Sequence, residues 1–399
     1  MANEPLFAVG LDAGGRNTRC VIGVVEDGRL RYLGHGTAPA AGWNRDRLAD
    51  GNALTSSISL AVSDAEKKAG VSVEGMVVGV GGAGVEGFDN TGLYEFSHPR
   101  AITAEQMSYA VERAANVRLE DDRCLLQVFP QDFTLDGRSG YRNPKGATCS
   151  RLEANVHVIT APRHEHTALV NAVHQAHYSV EETAYEPMAA AYAAILAEDR
   201  TRGVALMDIG CDSSDIVVYE GESLVLARSL AICGDHFTRD VAWVLKVAYE
   251  DAERIKREYG CAVVGLTADN SLIEVPSAEG REPRESSRKM LNEILEARAE
   301  ELFCMFRDAL ASVGMEQNLL EGVVLTGGGA LLSGMCDLAE KVLNVPARLG
   351  LAVGIEDWPE EIDNAGWTVA AGLCMYSARL KLKREWKRKA PGLIGLVLR

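Results

Sequence analysis

The chain has no Cys-x-x-Cys motif, no apolar run approaching the ~20 residues of a membrane span, and no charged, apolar leader at its N-terminus. Its nine cysteines are scattered and odd in number, which favours reduced thiols in a cytoplasm over a disulfide framework or a zinc site. We therefore expect neither export nor a membrane-spanning helix. The pattern Gly-x-x-x-x-Gly-Lys-Ser/Thr is also missing, which excludes a P-loop mechanism.

Basic residues are outnumbered, with 41 Lys and Arg against 57 Asp and Glu, and the formal net charge is −16. Because an acidic protein repels phosphate, we expect no nucleic-acid partner. The C-terminal segment 379–399 departs from this balance, with eight basic residues and one acidic residue. A basic tail on an acidic body predicts a separate partner for the tail.

The remaining composition is that of a folded protein, with 47% apolar and 25% charged residues in a chain long enough for two or three domains.

The main feature of the sequence is an internal repeat. An apolar strand ends in Asp-x-Gly at Asp12–Gly14 and again at Asp208–Gly210, and each is followed by a strand, a tight turn and another strand. The first loop is expected to be three residues longer, since Asp12 to Gly28 spans 16 positions and Asp208 to Gly221 spans 13. Two copies predict a duplicated α/β unit.

Residues from about 85 to 157 have a different pattern, which predicts an inserted subdomain. Its expected elements are a helix at Ala104–Ala115, short strands at Leu125–Phe129, Phe133–Leu135 and Ala154–Ile159, and a loop at Asp136–Gly146. Elsewhere we predict helices at Glu165–Ala176, Pro187–Ala197, Asp251–Tyr259, Ser287–Ser312 and Met335–Leu343, and strands at Ala262–Leu266, Leu272–Val275 and Val323–Leu325.

Two Asp-x-Gly loops at strand ends predict a cleft in which the loops face each other. Backbone N–H groups beside glycine can hold phosphates, and carboxylates can hold Mg²⁺ through its waters. Asp12, Asp208 and Asp215 are the candidate carboxylates. Gly327–Gly329, directly after an apolar strand, would let a base or ribose approach bare backbone. A single Asp-x-Gly is more often only a turn, and the repetition is what favours a site.

Several stretches resemble the actin-like ATPase superfamily and, within it, the bacterial FtsA family of cell-division proteins. They include Asn90–Gly92, Arg151–Glu153, Ala252–Cys261 and Leu325–Leu332. The resemblance implies an α/β, actin-like duplicated ribonuclease-H-type fold, with two lobes around a nucleotide cleft and an inserted 1C subdomain. The implied segments are 1–84, 158–202 and 357–380 in lobe 1, 85–157 as the insertion, 203–243 and 306–356 in lobe 2, 244–305 as subdomain 2B, and 381–399 as a membrane-targeting tail.

The same resemblance implies ATP and Mg²⁺ as cofactors and assigns roles to residues. The catalytic candidates are Asp208 and Glu186, and Mg²⁺ would be held through waters by Asp12, Asp208 and Asp215. The nucleotide-binding candidates are Asp12, Gly14, Gly15, Gly210, Ser213, Ser214, Asp215, Glu253, Lys256, Gly327, Gly328 and Gly329.

Two departures from the family pattern affect this site. The first loop has Gly15-Arg16-Asn17 where the family usually has Ser/Thr-Ser/Thr-Lys, and the second has Cys211 and Asp212 where small residues, mostly glycine, are usual. A like charge at ~4 Å with an effective dielectric constant of 20 costs about 4 kcal/mol. We therefore expect weakened ATP binding, with Arg16 as a possible offset, and at most weak ATPase activity.

The tail and one helix supply the candidate docking residues. Basic and apolar tail residues suit an anionic inner-membrane surface: Lys383, Arg384, Trp386, Lys387, Arg388, Lys389, Leu393, Ile394 and Leu396. The resemblance also implies an FtsZ-binding surface with Arg288, Lys289, Arg298 and Glu301, self-assembly into filaments, and contacts with other division proteins at the septum. The alternatives are a PilM-like adaptor of a membrane assembly and a sugar-kinase-like phosphotransferase.

Overall fold

The computed structural model describes residues 5–44, 47–276 and 282–389, with the backbone alone for 385–389. Its elements form two large sheets, two short two-stranded sheets and the helices that flank them. In chain order they are β1 (Leu6–Ala13), β2 (Asn17–Glu26), β3 (Arg29–Pro39), β4 (Trp43–Asn44), β5 (Arg47–Leu48), α1 (Gly51–Ala69), β6 (Gly75–Val80), β7 (Glu86–Ala101), α2 (Ala104–Ala115), β8 (Arg123–Leu135), β9 (Arg138–Tyr141), β10 (Thr148–Pro162), α3 (Arg163–Gln175), β11 (Ser179–Tyr185), α4 (Glu186–Ala194), α5 (Ala197–Thr201), β12 (Val204–Ile209), β13 (Ser214–Glu220), β14 (Ser223–Leu230), α6 (Gly234–Leu245), α7 (Tyr249–Tyr259), β15 (Leu272–Val275), β16 (Arg284–Ser287), α8 (Arg288–Ala311), β17 (Val323–Thr326), α9 (Met335–Leu343), β18 (Ala347–Leu349), β19 (Ile355–Glu356) and α10 (Thr368–Lys389).

The two halves of the chain build the same five-stranded pattern. The first sheet has the order β11-β6-β1-β2-β3 with β19 at its edge, and the second begins β18-β17-β12-β13-β14. In both, the central strand pairs in parallel with one neighbour and antiparallel with the other. The central strand of the second sheet, β12, is buried along its whole length, as its apolar sequence requires. The predicted duplicated, two-lobed α/β fold is confirmed.

The expected difference in loop length between the copies is wrong. Ala13 pairs with Thr18 and Ile209 pairs with Ser214, so both Asp-x-Gly loops have the same length. Two of the three extra residues lie in the strand, because β2 has nine residues from Thr18 where β13 has seven from Ser214. The third arises in the turn, where Gly28 is the second residue and Gly221 the first. The number of residues between the loop aspartate and the turn glycine includes both the loop and the strand. Only the pairing register shows how many of these residues belong to each.

The inserted subdomain continues the second sheet as β14-β7-β10-β8-β9. Its strands β7, β8 and β10 are 16, 13 and 15 residues long, so the short strands expected from the sequence are wrong in length. The region expected to be a loop at Asp136–Gly146 contains β9. Helix α2 packs closely on the sheet: a Cβ atom added at Gly92 would overlap the backbone of Ala110 and Ala114.

Two other predicted elements are corrected. The expected strand at Ala262–Leu266 is a single bridge at Cys261 followed by a 3₁₀ turn. The reason is that side chains of α8 accept the N–H groups that a strand would need, with Cys261 N donating to Asn292 Oδ1 at 2.8 Å and Val264 N to Glu296 Oε2 at 2.6 Å. The helix expected to end at Ala197 ends at Ala194, and α5 begins separately.

Two buried clusters form most of the core. One packs the first sheet against α1, α4 and α10 and extends to β12, β13, β14 and β17 of the second sheet, and the other packs the second sheet against α6, α8 and α9. The segment boundaries implied by the resemblance stay a prediction. Within the described part of the chain, no helix has both the length and the apolar character needed to cross a membrane.

Candidate functional site

The carboxyl ends of the central strands meet between the two lobes. Asp12 lies near the end of β1, and Glu186 begins α4 directly after β11. In lobe 2, Asp208 near the end of β12 stands beside Thr326 of β17 and opposite Asp215 of β13. Parallel strands present their carboxyl ends at one edge, and ligands of open α/β sheets bind outside that edge.

A cavity of about 460 Å³ occupies this position, a volume within the usual range of small-molecule sites. Both lobes line it. Of the predicted nucleotide-binding and catalytic residues, all line the cavity except Ser214, which is fully buried in β13. The predicted lining residues are Asp12, Gly14, Gly15, Glu186, Asp208, Gly210, Ser213, Asp215, Glu253, Lys256, Gly327, Gly328 and Gly329.

Four acidic side chains face one another at the base of the cavity, and burial raises the pKa of each. Asp12, Asp208 and Asp215 are 6%, 7% and 2% exposed. Burial, followed by the charges of Asp215 and Asp12, raises the pKa of Asp208 to about 7. Burial and the three aspartates raise the pKa of Glu186 well above its usual range. The four carboxyl groups at the cavity therefore carry more negative charge, when ionised, than the nearby basic side chains neutralise.

We expect the ligand-free protein to lose stability as the pH rises from 5 to 8. The pKa of Asp208 is about 7 in the folded chain against 3.8 for an unperturbed carboxyl, so in this window the folded state binds more protons than the unfolded state. The free energy of unfolding then falls as pH rises. Thermal unfolding in EDTA should show a steeper decline for the native chain than for Asp208→Asn. Equal slopes would contradict a raised Asp208 pKa.

Asp215 links the two lobes. Its Oδ2 accepts a hydrogen bond from Ser213 Oγ at 2.7 Å and from the backbone N–H of Gly82, a lobe 1 residue, at 3.3 Å. Its Oδ1 is buried and has no hydrogen-bond partner. A buried carboxylate oxygen without a donor is suited to a cation or its water.

Arg19 is a basic side chain that contacts this cluster, and the sequence analysis missed it. It lies opposite Asp12 in the β1–β2 pairing, with Arg19 Nη1 3.6 Å from Asp12 Oδ2. Its guanidinium stacks over Trp367, 5.5 Å from the ring centroid. Alternation along β2 could have indicated it, because residues seven positions after each loop aspartate, Arg19 and Asp215, occupy equivalent places.

The second loop touches the first. A Cβ atom added at Gly15 would overlap the carboxylate of Asp212, so the two loops meet at this point. Burial raises the pKa of Asp212, and Arg239 is the basic side chain that lowers it in part. Arg16 also lines the cavity and lowers the pKa of Glu253, and the expected offset of the Asp212 charge by Arg16 stays a prediction.

Glu253 and Lys256 form an ion pair of 2.6 Å on α7 at the cavity wall. Lys256 Nζ also donates to Thr238 Oγ1 at 2.7 Å and to Gly234 O at 3.2 Å. Burial raises the pKa of Glu253, but the charge of Lys256 outweighs this effect and keeps that pKa below its ordinary value. The pair is therefore held in place by α6 and stays charged.

The three glycines after β17 differ in what surrounds them. Gly327 has a φ of +82° and an added Cβ atom would overlap Asp208 Oδ1, while one at Gly329 would overlap the Ile209 side chain. Both glycines thus allow β17 and β12 to pack closely. At Gly328 no atom lies within 4 Å of an added Cβ, so this glycine borders open space.

The cavity residues fit a phosphate-bearing nucleotide and a hydrated Mg²⁺ better than a Mg²⁺ bound directly by side chains. Buried carboxylates with raised pKa values and an unpartnered oxygen suit a hydrated divalent cation, and the glycine-bearing loops suit phosphate. Among the residues that the structure describes, no cluster of three His, Cys, Asp or Glu side chains is placed to hold a metal directly. The fit is therefore to an ion held through water.

The predicted partner-binding residues of α8 already have contacts within the protein. Arg288 Nε donates to Tyr259 O at 2.7 Å, and Lys289 Nζ to Asp269 Oδ1 at 3.1 Å. Arg298 bonds Asp240 and Glu301 at 2.6 and 2.5 Å. The sequence analysis missed exposed apolar side chains in the same lobe: Trp243 of α6, Leu266, Leu272 and Met290.

The predicted membrane residues fall partly on α10. Arg384 is exposed and lies 3.7 Å from Glu181, and Lys383 is half-buried. Trp386, Lys387, Arg388 and Lys389 follow on the backbone of the same helix. Leu393, Ile394 and Leu396 lie outside the described residues.

Comparison with known proteins gives consistent matches. The family described as "Cell division protein FtsA" matches residues 205–372, and the "SHS2 domain inserted in FTSA" matches residues 82–160. The cell division protein FtsA of Pseudomonas aeruginosa is 31% identical over 369 residues, which are 92% of this chain and 88% of that protein.

Solved structures share the fold. A PilM–PilN type IV pilus biogenesis complex superposes with a TM-score of 0.66 at 19% identity, over 93% of this chain and 98% of that one. MreB5 of Spiroplasma citri bound to ADP gives a TM-score of 0.58 at 14% identity, over 95% and 98%. At these identities the likeness concerns the fold, which is actin-like with an SHS2-type insertion.

Proposed function

This chain belongs to the FtsA family of cell-division proteins, and we propose that it is an ATP-controlled scaffold that holds FtsZ filaments at the inner membrane of the division septum. It would assemble with copies of itself and bind other division proteins. The observation that carries the nucleotide part is the convergence of Asp12, Asp208 and Asp215, all buried, on one cavity between the lobes. By stabilising the closed lobes, ATP would favour the assembling form.

Each group around the cavity has a proposed task. Asp12, Asp208 and Asp215 would hold Mg²⁺ through waters, and the ion would neutralise phosphate charge. Gly14, Gly15, Gly210 and Ser213 would hold the phosphates. Glu253 and Lys256 would contact the ribose and base, and Gly327–Gly329 would border the base, with the open space at Gly328. Glu186, at the start of α4, would orient water in any slow hydrolysis.

Asp212 is expected to weaken ATP binding, because its carboxylate lies between the phosphate-side loops at Gly15. Replacing it by glycine should tighten Mg-ATP binding about tenfold, since a like charge near the phosphates is removed. Asp212→Asn removes the charge of Asp212 and keeps the size of its side chain. If the charge is the main obstacle, this variant should show most of the gain in Mg-ATP affinity expected for Asp212→Gly. Titration of nucleotide by calorimetry measures both, and unchanged affinities would show that Asp212 does not face the phosphates.

The FtsZ-binding surface is proposed on subdomain 2B and on the end of α6, which packs against α8. Lys289 is paired with Asp269, whose side chain is 85% exposed, and exposed pairs contribute little to stability. Lys289 is therefore available to a partner's acidic group. Trp243 is 82% exposed and could supply the apolar contact that such peptide docking needs.

Recruitment of FtsZ to vesicles tests the whole proposal. The full chain, Mg-ATP and FtsZ filaments are floated with vesicles that contain phosphatidylglycerol. We expect FtsZ to float only with the chain present, and FtsZ without its C-terminal peptide to stay in solution. If the chain floats and intact FtsZ does not, FtsZ tethering is wrong. A PilM-like adaptor role, the alternative considered from the sequence, would give that result.

A further inference from the structure

Helix α10 begins at the cavity. Gly366 and Val369 line it, and Trp367 lies under the guanidinium of Arg19. The preceding turn is fixed to lobe 2 as well, because Gly327 N donates to Ala365 O at 3.0 Å. The N-terminal end of α10 is thus in contact with the groups proposed to bind nucleotide.

The next turns of α10 are packed tightly into lobe 1. A Cβ atom added at Gly10 of β1 would lie 2.6 Å from Ala370 O, and one at Gly372 would overlap the backbone of Ala189 in α4. Ser377 is fully buried, and its Oγ accepts a hydrogen bond from Val9 N at 3.2 Å. Such close backbone contacts hold this part of the helix in one position.

The last contact with lobe 1 is made by the basic residues of the tail itself. Lys381 Nζ lies 2.8 Å from Glu181 Oε1, with side chains 19% and 16% exposed, and also donates to Phe7 O. Arg384 Nη1 lies 3.7 Å from Glu181 Oε2. Lys381 and Arg384 are three residues apart and share a helix face. The Glu181 carboxylate on β11 therefore holds Lys381 directly, while the more exposed Arg384 lies near it without a hydrogen bond.

No break separates this anchored part from the rest of the basic segment as far as the structure describes it. The helix runs without interruption to Lys389, and its 22 residues span about 33 Å. The basic cluster is therefore a continuation of a core helix of lobe 1.

We propose that α10 is a rigid strut that runs from the cavity to the anionic membrane surface, and that Glu181 sets its direction through the ion pair with Lys381, which it keeps from lipid. The proposal rests on the membrane role given under the proposed function. A strut of this kind presents lobe 1 to the membrane in one orientation. It also places the cavity and the lipid contact at the two ends of one helix.

The pairing is tested with Glu181→Gln in the full chain, and Glu182→Gln is the matched control. Glu182 is the adjacent carboxyl, loses the same charge, and accepts a hydrogen bond from Tyr376 rather than from a tail cation. Lys381→Gln breaks the same pair from the other side and serves if Glu181→Gln fails to fold. Hydrogen exchange of residues 377–389 is measured in the free protein, and affinity is measured with vesicles that contain phosphatidylglycerol.

We expect the amides of residues 377–389 to exchange slowly in the native chain. Their exchange should be about tenfold faster in Glu181→Gln and unchanged in Glu182→Gln. Vesicle affinity should rise about tenfold in Glu181→Gln relative to Glu182→Gln, because Lys381 is released and the negative charge beside Arg384 is removed. Exchange within seconds in the native chain, or equal behaviour of the two variants, would overturn the strut. Slow, Glu181-dependent exchange in a chain that binds no vesicles would instead support the strut and contradict the membrane role.

Discussion

Replacing Asp208 by alanine is expected to weaken Mg-ATP binding on the order of 100-fold. Asp208 is buried between Asp12 and Asp215, and Thr326 Oγ1 lies 3.3 Å from its Oδ1. In the proposed complex Asp208 would form a buried charge pair with the hydrated Mg²⁺, and removing one partner of such a pair costs about 3 kcal/mol or more. Calorimetric titration of the native chain and of Asp208→Ala measures the loss.

The control for this change is Asp308→Asn, which removes a carboxylate from an exposed position of α8. It should leave affinity within twofold of the native value. Chelation of Mg²⁺ by EDTA should weaken ATP binding in the native chain and have little effect in Asp208→Ala. If Asp208→Ala binds Mg-ATP as well as the native chain, the three aspartates do not form the ion site. If the folded native chain binds none, Cys211 and Asp212 have silenced the site and the protein is a constitutive tether.

Truncation after Glu385 is expected to reduce binding to anionic vesicles at least about 100-fold. It removes Trp386, the basic residues 387–389 and the apolar end 393–398. Each Lys or Arg near an anionic surface contributes about 1 kcal/mol, and the apolar side chains add insertion. Co-sedimentation with phosphatidylglycerol vesicles measures the loss.

The structure decides where this truncation should begin. Lys381 and Arg384 pair with Glu181, so removal of residues 381–399 would also break a contact of lobe 1. Truncation after Glu385 keeps both pairs, and the melting temperature should therefore stay within about 2 °C of the native value. Native binding should be lost on uncharged phosphatidylcholine vesicles and weakened by salt. Unchanged binding by the truncated chain would show that the tail is not the anchor.

The candidate site shows which of its parts the sequence could reveal. Asp12 and Asp208 were predictable because each ends an apolar strand in a repeated Asp-x-Gly pattern. Asp215 was predictable from its place after the second loop. Arg19 was missed, although it lies seven residues after Asp12 as Asp215 lies seven after Asp208, and the β1–β2 register is what shows that it faces Asp12.

The docking surfaces were less predictable. The charged residues of α8 were identified through resemblance, yet Arg298 is paired with Asp240, 58 residues away in sequence. Exposure of Trp243 could not be deduced, because an apolar residue in a helix is usually buried and its partner surface is set by the packing of other helices.

What the sequence determined by itself was the duplicated α/β fold, the inserted subdomain and the acidic residues of the cleft, since apolar runs and repeated strand-end motifs are local properties. It could not determine the register of strands, which is why the two loops prove equal in length and the inserted strands prove long. Nor could it show that Asp212 meets Gly15, or that Glu181 holds the tail helix. These contacts join residues close in space and distant in the chain, and only tertiary packing brings such residues together.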